Sequence, residues 1–355
     1  MKPENLVNVK SLLDWYDAHA RIMPWRVSPS DRAMGIVPDP YQVWLSEVML
    51  QQTTVAAVKS YFIAFMHRWP RVEDLADAKD EDVMSAWAGL GYYARARNLL
   101  RCARVVKNEY DGVFPSNQED LLKLPGIGPY TAAAIAAIAF DQPATVLDGN
   151  VERVMSRVYA VLEPLPKSKE HLRGLAKALT PAERPGDYAQ AVMDLGATIC
   201  TPRSPNCTAC PWSKRCKAYE MGIAADLPKK LPKRAKPTRY GHAFILRNAN
   251  ARVVMERRPE KGLLGGMLGW PGDTWAEVQK PSDPPIASAW TTATNPVIHI
   301  FTHFRLELSV HVAKADKDMP LLENFEWHDI SDVRGMPTVM QKAWKAATAE
   351  FGDLG

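Results

Sequence analysis

Four of the five cysteines lie between Cys200 and Cys216, with six, two and five residues separating Cys200, Cys207, Cys210 and Cys216 in turn. Four thiolates in so short a stretch suit a compact centre that prefers soft ligands. A disulfide framework spreads its pairs along the chain, so this grouping points to metal ligation in a reducing compartment. The spacing leaves an iron-sulfur cluster and a structural zinc both open. Zinc modules usually present two close pairs, and only Cys207 and Cys210 form one. Between first and last ligand the charged residues are Arg203, Lys214 and Arg215, with Lys217 following. A metal here would pin a cationic loop, whose side chains either meet phosphate or keep a surface loop soluble. Cys102 stands apart and reads as a small core residue.

The second chemical feature is a carboxylate among apolar residues. Tyr41 to Thr53 reads YQVWLSEVMLQQT, with Glu47 surrounded by Val43, Trp44, Leu45, Val48, Met49 and Leu50. Removal from water raises a carboxyl pKa, the condition for holding a proton at neutral pH and donating it as a general acid. On a narrow exposed stripe, Glu47 would instead be merely solvated. Gln51 and Gln52 add amide groups nearby. A second acid, Asp148, follows Val146 and Leu147 and precedes a helix, where spacing alone suggests an N-cap or turn residue.

Between these acids, Leu124 to Thr131 reads LPGIGPYT. Gly126 and Gly128 let the backbone turn tightly and leave free amides at a helix N-terminus, a geometry able to hold one phosphate. A plain connection between two helices fits the same pattern. The turn lacks the lysine and hydroxyl of a nucleotide-binding P-loop and follows no strand, so nucleotide hydrolysis there is unsupported.

The elements that must position these groups fall into two halves. A chain of 355 residues with 46% apolar residues can bury two cores. The surplus of 44 basic over 40 acidic residues names no partner by itself. Helical periodicity runs through Val43–Phe65, Leu99–Val106, Thr131–Ala139 and Val151–Val161, with Pro40 ahead of one helix and Pro70 after its end. Asp226–Arg239 alternates Pro228, Pro232 and Pro237 with Lys229, Lys230, Lys233, Arg234 and Lys236, the composition of an extended linker. Beyond it a period of two appears in His242–Leu246, Arg252–Met255 and His299–Val312, with a final helix over Pro337–Phe351. The expected organisation is an all-α domain over 1–225, a basic linker over 226–239 and a smaller α+β domain over 240–355. Met1–Lys10 has no signal-peptide pattern, and the longest apolar run, Thr131–Phe140, is too short to span a bilayer, so a soluble intracellular protein with no membrane partner is expected.

These motifs stand in order. They are Met23-Pro24-Trp25-Arg26, VWLSEVMLQQT over Val43–Thr53, GLGYYARARN over Gly89–Asn98, Leu124–Ala134, Val146–Arg153 and the four cysteines. As an ordered set they resemble the adenine DNA glycosylases (MutY type) of the helix-hairpin-helix, endonuclease III-like superfamily, with nearly the whole chain taking part. The resemblance implies a six-helix barrel packed against a [4Fe-4S] module held by Cys200, Cys207, Cys210 and Cys216, followed by a Nudix-like domain. It implies a monomer of the bacterial cytosol, bound to the nucleoid through double-stranded DNA, that flips out adenine mispaired with 8-oxoguanine or guanine and hydrolyses its glycosidic bond.

Within that family pattern Glu47 protonates the flipped base, while Asp148 stabilises the cationic sugar by charge or a transient covalent bond. Arg26, Gln52, Tyr130 and Asn150 belong to the adenine pocket. Tyr130 occupies the position where bifunctional relatives carry a lysine that attacks the sugar, which implies little intrinsic strand cleavage. Gly126 and Gly128 grip the backbone, and Tyr92 wedges into the base stack, although on its own terms it would read with Tyr93 as packing a helix start. Phe301, Thr302, His303 and Phe304 match the loop that recognises 8-oxoguanine. The stretch from Gly262, GLLGGMLGWPGDTW, lacks the glutamate-rich metal box of a true Nudix hydrolase. Two departures stand out: Val27–Asp39 is longer than the family pattern, and Glu152 stands where some relatives carry lysine. The rival readings are an oxidised-pyrimidine glycosylase of the same fold, a non-catalytic DNA-binding mismatch or redox sensor, and a nucleotide-pool hydrolase.

Overall fold

The computed structural model describes residues 6–232, 235–259, 262–315 and 318–353. Of the stretches anticipated above, Met1–Asn5, Lys233, Arg234, Leu354 and Gly355 lie outside them. Backbone contacts divide the chain into two compact units, Met1–Ala86 with Arg95–Pro232, and Trp87–Ala94 with Lys233–Gly355.

The first unit is helical. In order come α1 (Val9–His19), α2 (Pro29–Ala33), α3 (Pro40–Leu50), α4 (Val55–Arg68), α5 (Val72–Ala76), α6 (Asp80–Ala86), α7 (Ala94–Glu109), α8 (Gln118–Leu121), α9 (Pro129–Phe140), α10 (Gly149–Val158), α11 (Lys169–Leu179), α12 (Pro185–Thr198) and α13 (Lys217–Glu220). The helix starts follow local chemistry. Asp39 caps α3 by accepting from the Tyr41 amide with Pro40 at the first helical position, and Asp148 caps α10. The apolar periodicity of Val43–Phe65 predicts one helix, but the structure breaks it. Gln52 adopts a left-handed φ of 59°, and Thr54 restarts the chain as the cap of α4, accepting from the Ala57 amide. Likewise α10 stops at Val158, short of Val161.

Helix α9 is buried on every side from Thr131 to Ala139. A helix apolar all round can only be stable at the centre of a core, and its many alanines let α3, α8 and α12 approach closely. At the α12 contact, a Cβ added to Gly186 would lie 2.5 Å from the Ala137 carbonyl oxygen.

The second unit holds a mixed sheet: β1 (Thr238–Asn248), β2 (Arg252–Arg257), β3 (Leu268–Gly269), β4 (Thr291–Thr292), β5 (Val297–Ile300), β6 (Arg305–Ala315) and β7 (Phe325–Asp329). The order is β3-β2-β1-β6-β4, with β5 also pairing β6 and β7 pairing β2. Strands β1 and β6 are parallel over their full length and the other pairs are antiparallel. Helix α14 (Thr338–Asp353) covers the sheet with Val339, Met340, Ala343, Ala347 and Phe351. The alternation over His299–Val312 is interrupted at Phe301–Phe304, where a turn closed by the Phe301 amide on the Phe304 carbonyl (2.9 Å) separates β5 from β6. Within the expected linker, Lys229 and Leu231 exchange backbone bonds with Leu165, and Thr238 and Arg239 already belong to β1. No helix among the described residues is long and apolar enough to cross a membrane.

Because the atom facing Gly186 is backbone and cannot rotate away, Gly186→Ala is expected to destabilise the helical unit by about 1–3 kcal/mol through overpacking. Thermal denaturation followed by far-UV circular dichroism checks this; an unchanged midpoint would mean that α9 and α12 have slack.

Candidate active site and cysteine loop

A cleft of about 950 Å³ opens in the helical unit, lined by Glu47, Asp148, Tyr130, Asn150, Arg26, Gln52, Gly126 and Gly128. Eight residues picked out from the sequence therefore meet in one cavity. The two acids arrive from different elements, Glu47 from the inner face of α3 and Asp148 from the cap of α10.

Their environments differ. Glu47 is buried and receives a single hydrogen bond, from the Tyr130 hydroxyl at 2.7 Å. Burial, reinforced by the nearby Asp148 charge, pushes its pKa up to about 7, against the pull of the Tyr130 bond and Arg26. Asp148 is also raised by burial. It, however, accepts from the Asn150 amide (2.9 Å), the Val151 amide (2.7 Å) and the Asn150 side chain (2.8 Å), all of which favour its ionised form. Arg153 pulls the same way. Burial thus favours the proton on Glu47, while the three donors and Arg153 oppose protonation of Asp148. Tyr130 is held well above its ordinary pKa by burial and by Glu47, so it stays a neutral donor.

Several supporting residues escaped the sequence reading. Asp194, fully buried, binds Arg26 through both oxygens at 2.9 and 2.8 Å and also takes the Arg21 side chain at 2.7 Å. This fixes the Arg26 guanidinium at the cleft wall. Arg153 bonds the Asn150 side-chain oxygen (2.8 Å), the Gly196 carbonyl (2.7 Å) and the Cys200 carbonyl (2.7 Å). Gly196 faces Asn150 so closely that an added Cβ would sit 2.7 Å from the Asn150 Cβ. Arg153 lies three residues beyond Asn150 on one helix face, a signal open to a sequence reader; the pairing of Arg26 with Asp194, 168 positions apart, is not.

The hairpin between α8 and α9 has Gly126 at φ 77°, and a side chain there would collide with Asn98, 2.7 Å from its Cβ. Gly128 caps α9 with open space on its Cβ side.

All four clustered cysteines line a second, small cavity together with Arg157, and none forms a disulfide. Among the described residues no group of three or more His, Cys, Asp or Glu side chains is arranged to hold a metal ion. Arg157, itself buried, donates to Cys200 Sγ at 3.2 Å and is pinned by the carbonyls of Thr201, Pro202 and Leu227. Trp212 ties the same loop to α1 through the Asn8 carbonyl at 2.8 Å.

The remaining sequence candidates do not line the cleft; Tyr92, Phe301, Thr302 and His303 belong to the second unit. Tyr92 has a left-handed φ of 50° and its hydroxyl lies 2.7 Å from Thr302 Oγ1. The Phe301 ring packs on His299, Phe304 and Trp275, while Thr302 and His303 are exposed. Lys236 binds the Phe301 carbonyl at 2.7 Å.

Comparison with known proteins agrees with this geometry. Residues 45–181 match the HhH-GPD superfamily of base excision DNA repair proteins, and residues 242–346 match the NUDIX domain. The adenine DNA glycosylase of Mus musculus is 36% identical over 86% of this chain and 70% of its own length. That of Buchnera aphidicola (Schizaphis graminum) is 31% identical over 93% of this chain and 96% of its own. The chain belongs to the adenine DNA glycosylases. A thermostable thymine-DNA glycosylase structure superposes with a TM-score of 0.52 at 32% identity, covering 60% of this chain and 95% of that one. A helix-hairpin-helix glycosylase fold followed by a Nudix-like domain is thus the architecture of this family member.

The raised Glu47 pKa has a consequence for stability. Below its ordinary pKa of 4.5, folded and unfolded chains both hold the proton. Between 4.5 and about 7 only the folded chain keeps it, so stability falls as pH rises through that window, and the cost is complete above it. Glu47→Gln should therefore gain on wild type between pH 5 and pH 8, by up to about 3 kcal/mol. Urea denaturation at the two pH values measures the gap; a pH-independent gap would mean that Glu47 is solvated.

Proposed function

We propose that this chain excises adenine from mispairs in double-stranded DNA by hydrolysis. The observation that carries this reading is a buried Glu47, its carboxyl pKa pushed up to about 7, lining one cleft with an Asp148 that accepts from three N–H donors. Adenine leaves poorly as an anion, and a carboxyl that keeps its proton near neutrality can deliver it to the departing base. Asp148, ionised, faces the cation developing on the sugar. Tyr130 donates to Glu47 and offers no amine, which supports hydrolysis without an obligatory Schiff base and little strand cleavage. Arg26, Gln52 and Asn150 would contact the flipped base and the amides of Gly126 and Gly128 the backbone.

In the same reading Tyr92 enters the base stack, and the loop of Phe301, Thr302 and His303 recognises 8-oxoguanine, or guanine, opposite the adenine. The exposure of Thr302 and His303 above a packed Phe301 supports that use. The chain would act as a monomer in the cytosol, with the boundary between its domains in the stretch 226–239.

Cys200, Cys207, Cys210 and Cys216 would hold a [4Fe-4S] cluster. They fit it: four free thiols line one cavity, and the buried Arg157 donates to Cys200 Sγ there. When bound, the cluster would supply rigidity to the loop carrying Arg203, Lys214 and Arg215.

Single-turnover release of adenine from duplexes with adenine opposite 8-oxoguanine or guanine tests the reading. Glu47→Gln should lose release by at least about a hundredfold while keeping duplex affinity, because proton transfer acts in the transition state. Wild-type release should fall as pH rises through about 7. Near-normal turnover of the variant would refute the assignment of Glu47. Cys207→Ser should lower iron content and DNA affinity together; unchanged iron would contradict the cluster.

A further inference from the structure

Six charged side chains line the cleft: Arg21, Arg26, Glu47, Asp148, Glu152 and Lys169. Two of the three cations are committed to a buried carboxylate, since Arg21 and Arg26 both bind Asp194 and keep only 27% and 10% of their side chains exposed. Lys169 differs. It opens α11, is 47% exposed, and has its ammonium 3.1 Å from Glu152 on the first turn of α10.

A strand that delivers a nucleoside to this cleft brings phosphates with it. The α10 N-terminus is not free to take one, because the Asn150 and Val151 amides there are already occupied by Asp148. Glu152, the next residue along, would repel a phosphate unless its charge were neutralised. Lys169 is the exposed partner of this pair and Glu152, at 14% exposure, the sheltered one, so the ammonium can reach a phosphate from the solvent side while still shielding Glu152.

We infer that Lys169 is a phosphate-positioning residue: it anchors the DNA strand at the α10–α11 rim of the cleft, a second anchor in addition to the hairpin amides of Gly126 and Gly128. Two separated anchors fix the register of the strand, so that the nucleoside between them enters facing Glu47 and Asp148. Glu152 holds the lysine in place before DNA arrives. This rests on the excision reading above and names a contact within it.

The test uses the full-length, cluster-loaded protein and a duplex carrying 2′-fluoro-2′-deoxyadenosine, which resists cleavage, opposite guanine. Binding is followed by fluorescence anisotropy over a series of salt concentrations. Lys169→Ala should weaken binding roughly tenfold and reduce the slope of log affinity against log salt by about 1, the signature of one lost phosphate contact. Saturating single-turnover release should change far less than affinity. Adding Glu152→Lys to that variant should recover most of the affinity and slope. A purely structural bridge between α10 and α11 would lower the melting temperature and leave the slope unchanged. That outcome, or a double variant that recovers nothing, would overturn the inference. Adenine release by wild type from the unmodified duplex is the separate control: without it the excision reading fails, whereas release with unaltered Lys169→Ala binding removes only the lysine.

Discussion

The site depends on one imbalance: two buried carboxyl groups share a cleft, and the protein supplies hydrogen-bond donors to them unequally. Asp148 has two backbone amides and a side-chain amide, whereas Glu47 has one phenol. In water the two acids would titrate almost together. Out of water, the difference in donors separates their protonation states, which is the arrangement that paired acid and electrostatic roles require.

Keeping this imbalance requires a dry and rigid surround, and α9 provides it. Its small side chains allow neighbouring helices to crowd in behind the cleft, and its first turn carries Tyr130 to the Glu47 carboxyl. The capping role of Asp148 does structural and electrostatic work at once. The amides that start α10 are the donors that keep the carboxylate charged, so the helix cannot form normally without also tuning the acid.

Much of this was legible in the sequence where the signal is local. The cysteine spacing, the glycine hairpin and the Asp148 cap each lie within a few residues, and the ordered motifs identify the family. The neutrality of Glu47 was not readable from its own helix, because α3 is apolar on most faces and a charged residue there could equally sit on a solvated edge. Its partner Tyr130 is 83 positions away. The break at Gln51–Thr54 was hidden because apolar residues continue on both sides of it, and the turn at Phe301–Phe304 because aromatic residues there mimic strand alternation. Asp194 carries no local signal at all, since its partners Arg21 and Arg26 come from the far end of the chain.

Gly196 shows how far such a site extends. It touches neither acid, yet Asn150 rests against its bare backbone, and its carbonyl receives Arg153. Any side chain here would tilt the amide that braces Asp148 and the arginine that ties it to the cysteine loop. A substitution at this position would keep both acids in the chain and nonetheless behave as a lesion of the reaction centre.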